Sequence, residues 1–240
     1  MRYYVQTDIG KVRSLNEDAY YLPRGDERFC AVADGMGGHN AGEVASAMAV
    51  DVYARELRPL ENIRGMAMRQ AVEHANAAVF TRSISAREFN GMGTTFTGLA
   101  VNGNDVHIAH VGDSRAYLIR NGCIMCLTLD HTLVQEMVLQ GLITPSEAKH
   151  HPKRNYITRA LGTAENVEVD LVQVELQPGD IFLLCTDGLS NHVEERKILE
   201  ISQKACSWKE KLKELIQCAL DDGGSDNITA LYAVNEEESR

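Results

Sequence analysis

Four aspartates in this chain share a setting, each close to glycine at an edge of an apolar run. Phe29-Cys30-Ala31-Val32-Ala33 leads into Asp34-Gly35-Met36-Gly37-Gly38-His39, and Phe182-Leu183-Leu184-Cys185 leads through Thr186 into Asp187-Gly188. Val111-Gly112-Asp113 repeats the arrangement, and Gly223-Gly224-Ser225-Asp226 precedes the last apolar run. Asn16-Glu17-Asp18 adds two further acids near the N-terminus. Short apolar runs bounded by turn residues read as buried strands, so the carboxylates gather on a common rim of the sheets. Mutual repulsion at such a rim is costly unless cations neutralise it. Oxygen donors without a His or Cys cluster suit Mg²⁺ or Mn²⁺ rather than zinc. Two such ions can bridge a water, lower its pKa and align it for in-line displacement at phosphorus. A glycine-rich turn with a capping aspartate is the plain reading of any one stretch; the repetition argues against it for the set. Arg13, three residues before Asn16, is a candidate anchor for an anionic substrate, against its simpler reading as a surface arginine.

Strands are expected at 2–7, 18–22 and 28–33. Residues 41–57 put Ala41, Val44, Ala45, Met48 and Val52 on one helical face, and 64–82 do the same with Met68, Ala71, Val72, Ala75 and Val79. Asn40 is the expected cap of the first helix, with Glu43 three residues on. The period then changes to strand-like pieces at 94–101, 105–111, 115–120 and 124–129, with Asn102-Gly103 and Asn121-Gly122 as hairpin signals. Residues 131–165 read as an excursion from the sheets. It holds a helix-like piece near 132–141, a capped start at Thr144-Pro145-Ser146-Glu147, and the polar, basic stretch His150 to Asn155. Strands at 167–176 and 180–185, helices near 194–204 and 207–221, and a strand at 227–234 complete the chain. Antiparallel hairpins with helices grouped in pairs argue for an α+β class, with residues 1–240 as one domain.

The 240 residues are 44% hydrophobic, enough for a sizeable core, and carry a formal charge of -10. No basic footprint exists for nucleic acid, which that class of partner requires. An acidic surplus suits a protein that gathers divalent cations, and equally one that is acidic for solubility. Of the six cysteines, Cys30 and Cys185 sit in apolar runs. Cys123 and Cys126 have no second pair to complete a zinc site, so they read as strand residues. The N-terminus is not that of a signal peptide and no apolar run approaches ~18 residues. A cytoplasmic location away from membranes, with reduced thiols, is expected.

Eight ordered blocks carry a more specific signal: RSLNEDA (13–19), VADGMGGHNAGEVAS (32–46), GTTFTGLAV (93–101), HVGDSRAYLIR (110–120), LTLDHTLV (127–134), RALG (159–162), LLCTDGLS (183–190) and GGSDNITALYA (223–233). Together, from about residue 3 to about 234, they resemble the metal-dependent protein Ser/Thr phosphatases, the PPM or type 2C family, in their compact bacterial form. The resemblance implies a four-layer αββα sandwich of two antiparallel sheets flanked by helix pairs. It implies Mn²⁺ or Mg²⁺ as cofactor, two core ions and a weaker third. Asp34 then bridges the core ions and the Gly35 carbonyl binds one of them. Asp187 and Asp226 hold the first ion, Glu17 or Asp18 supports the second, largely through water, and Asp113 with Asp187 holds the third. Arg13 matches the phosphate-binding arginine, and a metal-bridging water attacks phosphorus with no phosphoenzyme.

One departure bears on proton transfer. Animal relatives carry histidine directly after the Asp-Gly, where this chain has Met36. His39 and a metal-bound water remain the two candidate proton donors. Residues 131–165 correspond to the family's flap, where His150, His151, Lys153 and Arg154 are either contacts for phosphoproteins or a solvated basic loop. Thr94, Thr95, Ser114, Thr158 and Ser190 read as supporting or turn hydroxyls. The implied function is hydrolysis of phosphoserine and phosphothreonine in proteins, opposing a bacterial Ser/Thr kinase, by a monomer that meets neither nucleic acid nor membrane. Two alternatives stand beside it: the branch that dephosphorylates anti-sigma-factor antagonists, and a non-catalytic binding module with the same fold. The first usually lacks the NEDA and GDSR blocks, and the second should have lost metal aspartates that are present here.

Overall fold

The computed structural model describes residues 1–37 and 41–236. One sheet contains β1 (Arg2–Asp8), β7 (Arg115–Arg120), β8 (Cys123–Cys126), β10 (Ile181–Cys185) and β11 (Ile228–Val234), ordered β1-β11-β10-β7-β8. The other contains β2 (Asp18–Tyr21), β3 (Phe29–Met36), β5 (Phe96–Asn102), β6 (Asp105–Val111) and β9 (Asp170–Glu175), ordered β2-β3-β5-β6-β9, with β4 (Gly93–Thr94) paired to β3. Every pairing is antiparallel.

The central strands β3, β5, β10 and β11 are largely apolar because both of their faces are covered. Side chains alternate across a strand, and β10 sorts accordingly. Phe182 and Leu184 join Leu231 and Ala233 of β11 and Cys30, Val32, Leu99 and Ile108 of the other sheet in the layer between sheets. Leu183 and Cys185 point the other way, into a cluster with Ile198 and Ile201 of α6 (Glu195–Ser202) and Leu212, Leu215 and Ala219 of α7 (Trp208–Asp221). On the far side, Phe29, Ala31, Ala33 and Phe96 pack against Ala45, Ala49 and Tyr53 of α1 (Gly42–Leu57) and Met68, Ala71, Val72 and Ala75 of α2 (Gly65–Ser83). Helix pair, sheet, sheet, helix pair: this is the expected αββα sandwich.

Four details differ from the sequence reading. Strand β3 runs on through Asp34 and Gly35 to Met36, because β4 supplies partners (Gly35 opposite Thr94, Met36 opposite Gly93). Strand β8 stops at Cys126, where the Thr128 hydroxyl takes the Ala116 N–H at 3.1 Å in place of a backbone carbonyl. Asp187 does not end in a turn but opens a one-turn helix, α5 (Asp187–Ser190). Helix α1 starts at Gly42 with Ala41 in the cap position and no side-chain cap; Asn40 lies outside the described residues. Cys123 and Cys126 are free thiols on β8. No helix is long and apolar enough to cross a membrane among the described residues.

The excursion at 131–165 contains α3 (Leu133–Leu139) and α4 (Pro145–Lys149). Thr144 and Glu147 form a capping box at the start of α4. Its two ends meet at a narrow root: Leu133 N–H donates to Tyr156 O (2.9 Å), Thr158 N–H to His131 O (2.8 Å), and Thr132 bridges Ile157.

Candidate metal centre

Asp34 is tied by its backbone, and its carboxyl lies among those of Asp18, Asp187, Asp113 and Asp226. Its N–H donates to Thr95 Oγ1 (2.9 Å), and its carbonyl accepts from Thr95 N–H (2.9 Å) and Thr94 Oγ1 (2.8 Å). Thr95 Oγ1 is in turn 2.7 Å from Ser114 Oγ. Gly35 follows in a space that admits no other residue. A Cβ there would stand 2.2 Å from Gly42 O and 2.5 Å from Glu17 O, whose carbonyl also accepts the Gly35 N–H at 3.0 Å. This close approach seats the start of α1 and the Glu17 segment against the strand. Glu17 accepts the Gly42 N–H on its carboxylate, and burial pushes its pKa up.

Asp18 lies directly opposite Asp34 in the β2–β3 ladder. Its Oδ2 accepts from Thr229 Oγ1 (2.7 Å) and Thr186 Oγ1 (2.9 Å), while its Oδ1 is buried and meets no donor among the described residues. Burial, reinforced by the charges of Asp187 and Asp226 and opposed by the two hydroxyls, lifts it to about 7. Asp113 follows Gly112 after β6; burial and the Asp187 and Asp130 charges raise it to about 8. Asp34 is raised by burial and by the carboxylates of Asp18, Asp187, Asp113 and Asp226. Asp187 is raised by burial and by Asp226, against a hydrogen bond from Asp34. Four carboxyl groups that all resist ionisation in one place mark a site built for positive charge.

Arg13 Nη2 donates to Asp226 Oδ2 at 2.8 Å. The loop that carries it is clipped to the β11 approach by Asn227. The Asn227 Nδ2 donates to Ile9 O and Leu15 O (2.9 Å each), and its Oδ1 accepts Glu17 N–H (2.8 Å). Lys11 N–H adds a bond to Gly224 O (2.7 Å).

A cavity of about 400 Å³ is lined by Arg13, Glu17, Asp34, Gly35, Met36, Gly37, Asp113, Asp187 and Asp226, and by Asn155, Tyr156 and Ile157 of the excursion. Seven residues named from the sequence therefore meet on one wall. Asp18 is not on that wall, its carboxyl being turned to Thr186 and Thr229. His39 lies outside the described residues. His150, His151, Lys153 and Arg154 do not line the cavity. Asn155, Tyr156 and Ile157 were not singled out by the sequence. Their only signal was an aromatic residue inside an exposed polar stretch. Asn227 was missed as the loop clip, although it follows Asp226 directly.

Among the described residues no three His, Cys, Asp or Glu side chains close on one point tightly enough to hold an ion as they stand. The donor chemistry nevertheless fits hard cations. Asp18 Oδ1, Asp113 Oδ1 and Asp187 Oδ1 are buried acceptors that meet no donor among the described residues. Each orphaned acceptor costs about 1–3 kcal/mol, and divalent cations favour such oxygen-only sets.

The chain is similar to known proteins over most of its length. A family model described as Protein phosphatase 2C matches residues 10–231. The chain is 41% identical over 235 residues to the serine/threonine protein phosphatase PstP of Mycobacterium tuberculosis, covering 97% of this chain and 45% of that protein. It is 39% identical over 234 residues to the serine/threonine phosphatase stp of Listeria monocytogenes, covering 94% of this chain and 92% of that one. Among solved structures, a catalytic domain of PstP in complex with two manganese ions superposes with a TM-score of 0.88 at 39% identity, covering 98% of each chain. The chain thus spans under half the length of PstP but nearly all of the Listeria protein. With a match that runs almost end to end and relatives near 40% identity, this chain belongs to the protein phosphatase 2C family.

Proposed function

We propose that this chain is a metal-dependent phosphatase acting on phosphoserine and phosphothreonine in proteins. The observation that carries the reading is the wall itself: five carboxylates and Arg13 around one cavity, with buried acidic oxygens of Asp113 and Asp187 that meet no donor among the described residues. Two divalent ions, Mn²⁺ or Mg²⁺, and a weaker third would supply charge neutralisation and activation of water for direct attack on phosphorus. Asp34, Asp187, Asp226, Glu17 and the Gly35 carbonyl are the groups to hold the core pair, with Asp18 supporting and Asp113 serving the third. His39 stays a candidate proton donor for the departing alkoxide. Arg13 binds the phosphate. Its bond to Asp226 uses one donor of the five on a guanidinium.

On this reading residues 1–240 form one catalytic domain with 131–165 as its flap. Its substrates are the phosphoproteins made by a Ser/Thr kinase, and it works as a cytoplasmic monomer with free thiols. The test is hydrolysis of a phosphothreonine peptide with Mn²⁺, with EDTA, and with Asp34→Asn. Turnover is expected only in the wild type with metal. Activity that survives EDTA would sink the mechanism.

A further inference from the structure

One imidazole ring joins the flap root to the turn that carries Asp113. His131 is only 6% exposed. Its backbone N–H donates to Gly112 O (2.7 Å) and its Nδ1 accepts the Gly112 N–H (2.9 Å), so one residue occupies both polar backbone groups of Gly112. Accepting at Nδ1 places the ring proton on Nε2, which donates to Asp170 Oδ2 (3.2 Å). Arg159 Nη1 lies 3.0 Å from that nitrogen and directs its own N–H to Asp170 Oδ1 (2.7 Å). The His131 carbonyl accepts Thr158 N–H from the other end of the flap (2.8 Å). Beneath the clamp, Gly112 has φ 109°, and a Cβ there would stand 2.6 Å from the side chain of Thr95, whose hydroxyl holds the Asp34 N–H. Asp113 follows at once with a buried Oδ1 that meets no donor among the described residues.

We propose that His131 is a positioning residue that sets Asp113 and the flap root in fixed relation to each other. One hydrogen-bond clamp then builds two parts of the cavity: the cation position served by Asp113, and the wall supplied by Asn155, Tyr156 and Ile157. His131 touches no substrate and acts through Gly112 and Thr158. The inference rests on the metal-dependent reading above, and partners that orient ligating groups typically govern metal affinity by 10–100-fold.

The experiment compares wild type, His131→Ala and His131→Gln. A glutamine amide can accept from Gly112 N–H and donate toward Asp170, so it keeps the chemistry of the clamp without the ring. Three quantities are read: Mn²⁺ affinity by calorimetry, tryptic cleavage at Lys149, Lys153 and Arg154 in EDTA, and kcat and KM on a phosphothreonine peptide. For His131→Ala the weakest Mn²⁺ step is expected to lose about 10–100-fold in affinity. Flap cleavage should accelerate and kcat fall, with His131→Gln recovering most of each. Asp170→Ala loosens the same ring from a partly exposed position and is expected to give the pattern at smaller amplitude, which covers the case of an alanine variant that fails to fold. Unchanged Mn²⁺ affinity at every step, unchanged flap cleavage, or equal losses in Ala and Gln variants would overturn the proposal. A wild type that binds no Mn²⁺ and turns over nothing would instead defeat the metal-dependent reading, while cleavage in EDTA would still report on the clamp.

Discussion

Arg13 and Gly35 sit at the same cavity, and substitution of each should fail in a different way. The Arg13–Asp226 pair is partly exposed, and such pairs contribute about 0–1 kcal/mol. Arg13→Ala is therefore expected to leave the urea midpoint nearly unchanged. It should raise KM several-fold with kcat little altered, because a phosphate contact exists before the transition state as well as in it. A fall in kcat at constant KM in steady-state assays would assign the arginine another task. Gly35→Ala meets backbone carbonyls, which have nowhere to go. Overpacking of this kind costs about 1–3 kcal/mol, so chemical denaturation should show a loss of that size, with weaker Mn²⁺ binding beside it. At this scale the aspartates were legible because a strand edge leaves a local signature. The turn of Asp18 toward Thr186 and Thr229 was not, since its partners lie 168 and 211 residues away.

Between residues and the whole stands the loop that carries Arg13, which has no ladder of its own. Asn227 supplies three of its hydrogen bonds, and Asn227→Ala would strand the Glu17 N–H and two carbonyls. Unmade bonds to half-buried groups cost about 1–3 kcal/mol each, partly recovered by water. A loss of about 2–4 kcal/mol in denaturant titration is expected, together with a KM rise resembling that of Arg13→Ala. An unchanged KM would mean that the loop holds its shape without the clip. Elements with a strong period were readable in advance: the helix pairs from their apolar faces, the hairpins from Asn-Gly. Boundaries set by a partner from elsewhere in the chain were not. The extension of β3 depends on β4, and the early end of β8 depends on a threonine hydroxyl. Nor could local sequence show that Tyr156 would reach the cavity wall, because an irregular segment takes its path from its root.

For the molecule as a whole, the buried ring of His110 adds an acid-sensitive contribution to stability. Burial and the neighbouring His131 push its pKa down to about 4, against weaker upward pulls from Asp130, Leu129 O and Asp170. The unfolded chain takes a proton near the ordinary value of about 6.5, so between those pH values the unfolded state binds more protons. The contribution of His110 to stability is full above about 6.5 and drains as pH falls toward about 4, by roughly 3 kcal/mol in total. The raised carboxyls of Asp18 and Asp113 act in the opposite sense over the same range, so His110 is read as a difference. From pH 7 to pH 4 the urea midpoint of the wild type should fall relative to that of His110→Gln, and equal profiles would remove His110 from the account. The same global view brings out a matter of timing. In β1, Arg2 pairs with Val234 and Asp8 with Ile228, so the first strand finds its partner in the last. Arg13 must likewise wait for Asp226, and Asp18 for Thr229. A ribosome makes the members of these two pairs 213 and 211 residues apart. The cavity is consequently finished only once Asp226 has been made, and a nascent chain short of that residue carries Arg13 without its partner.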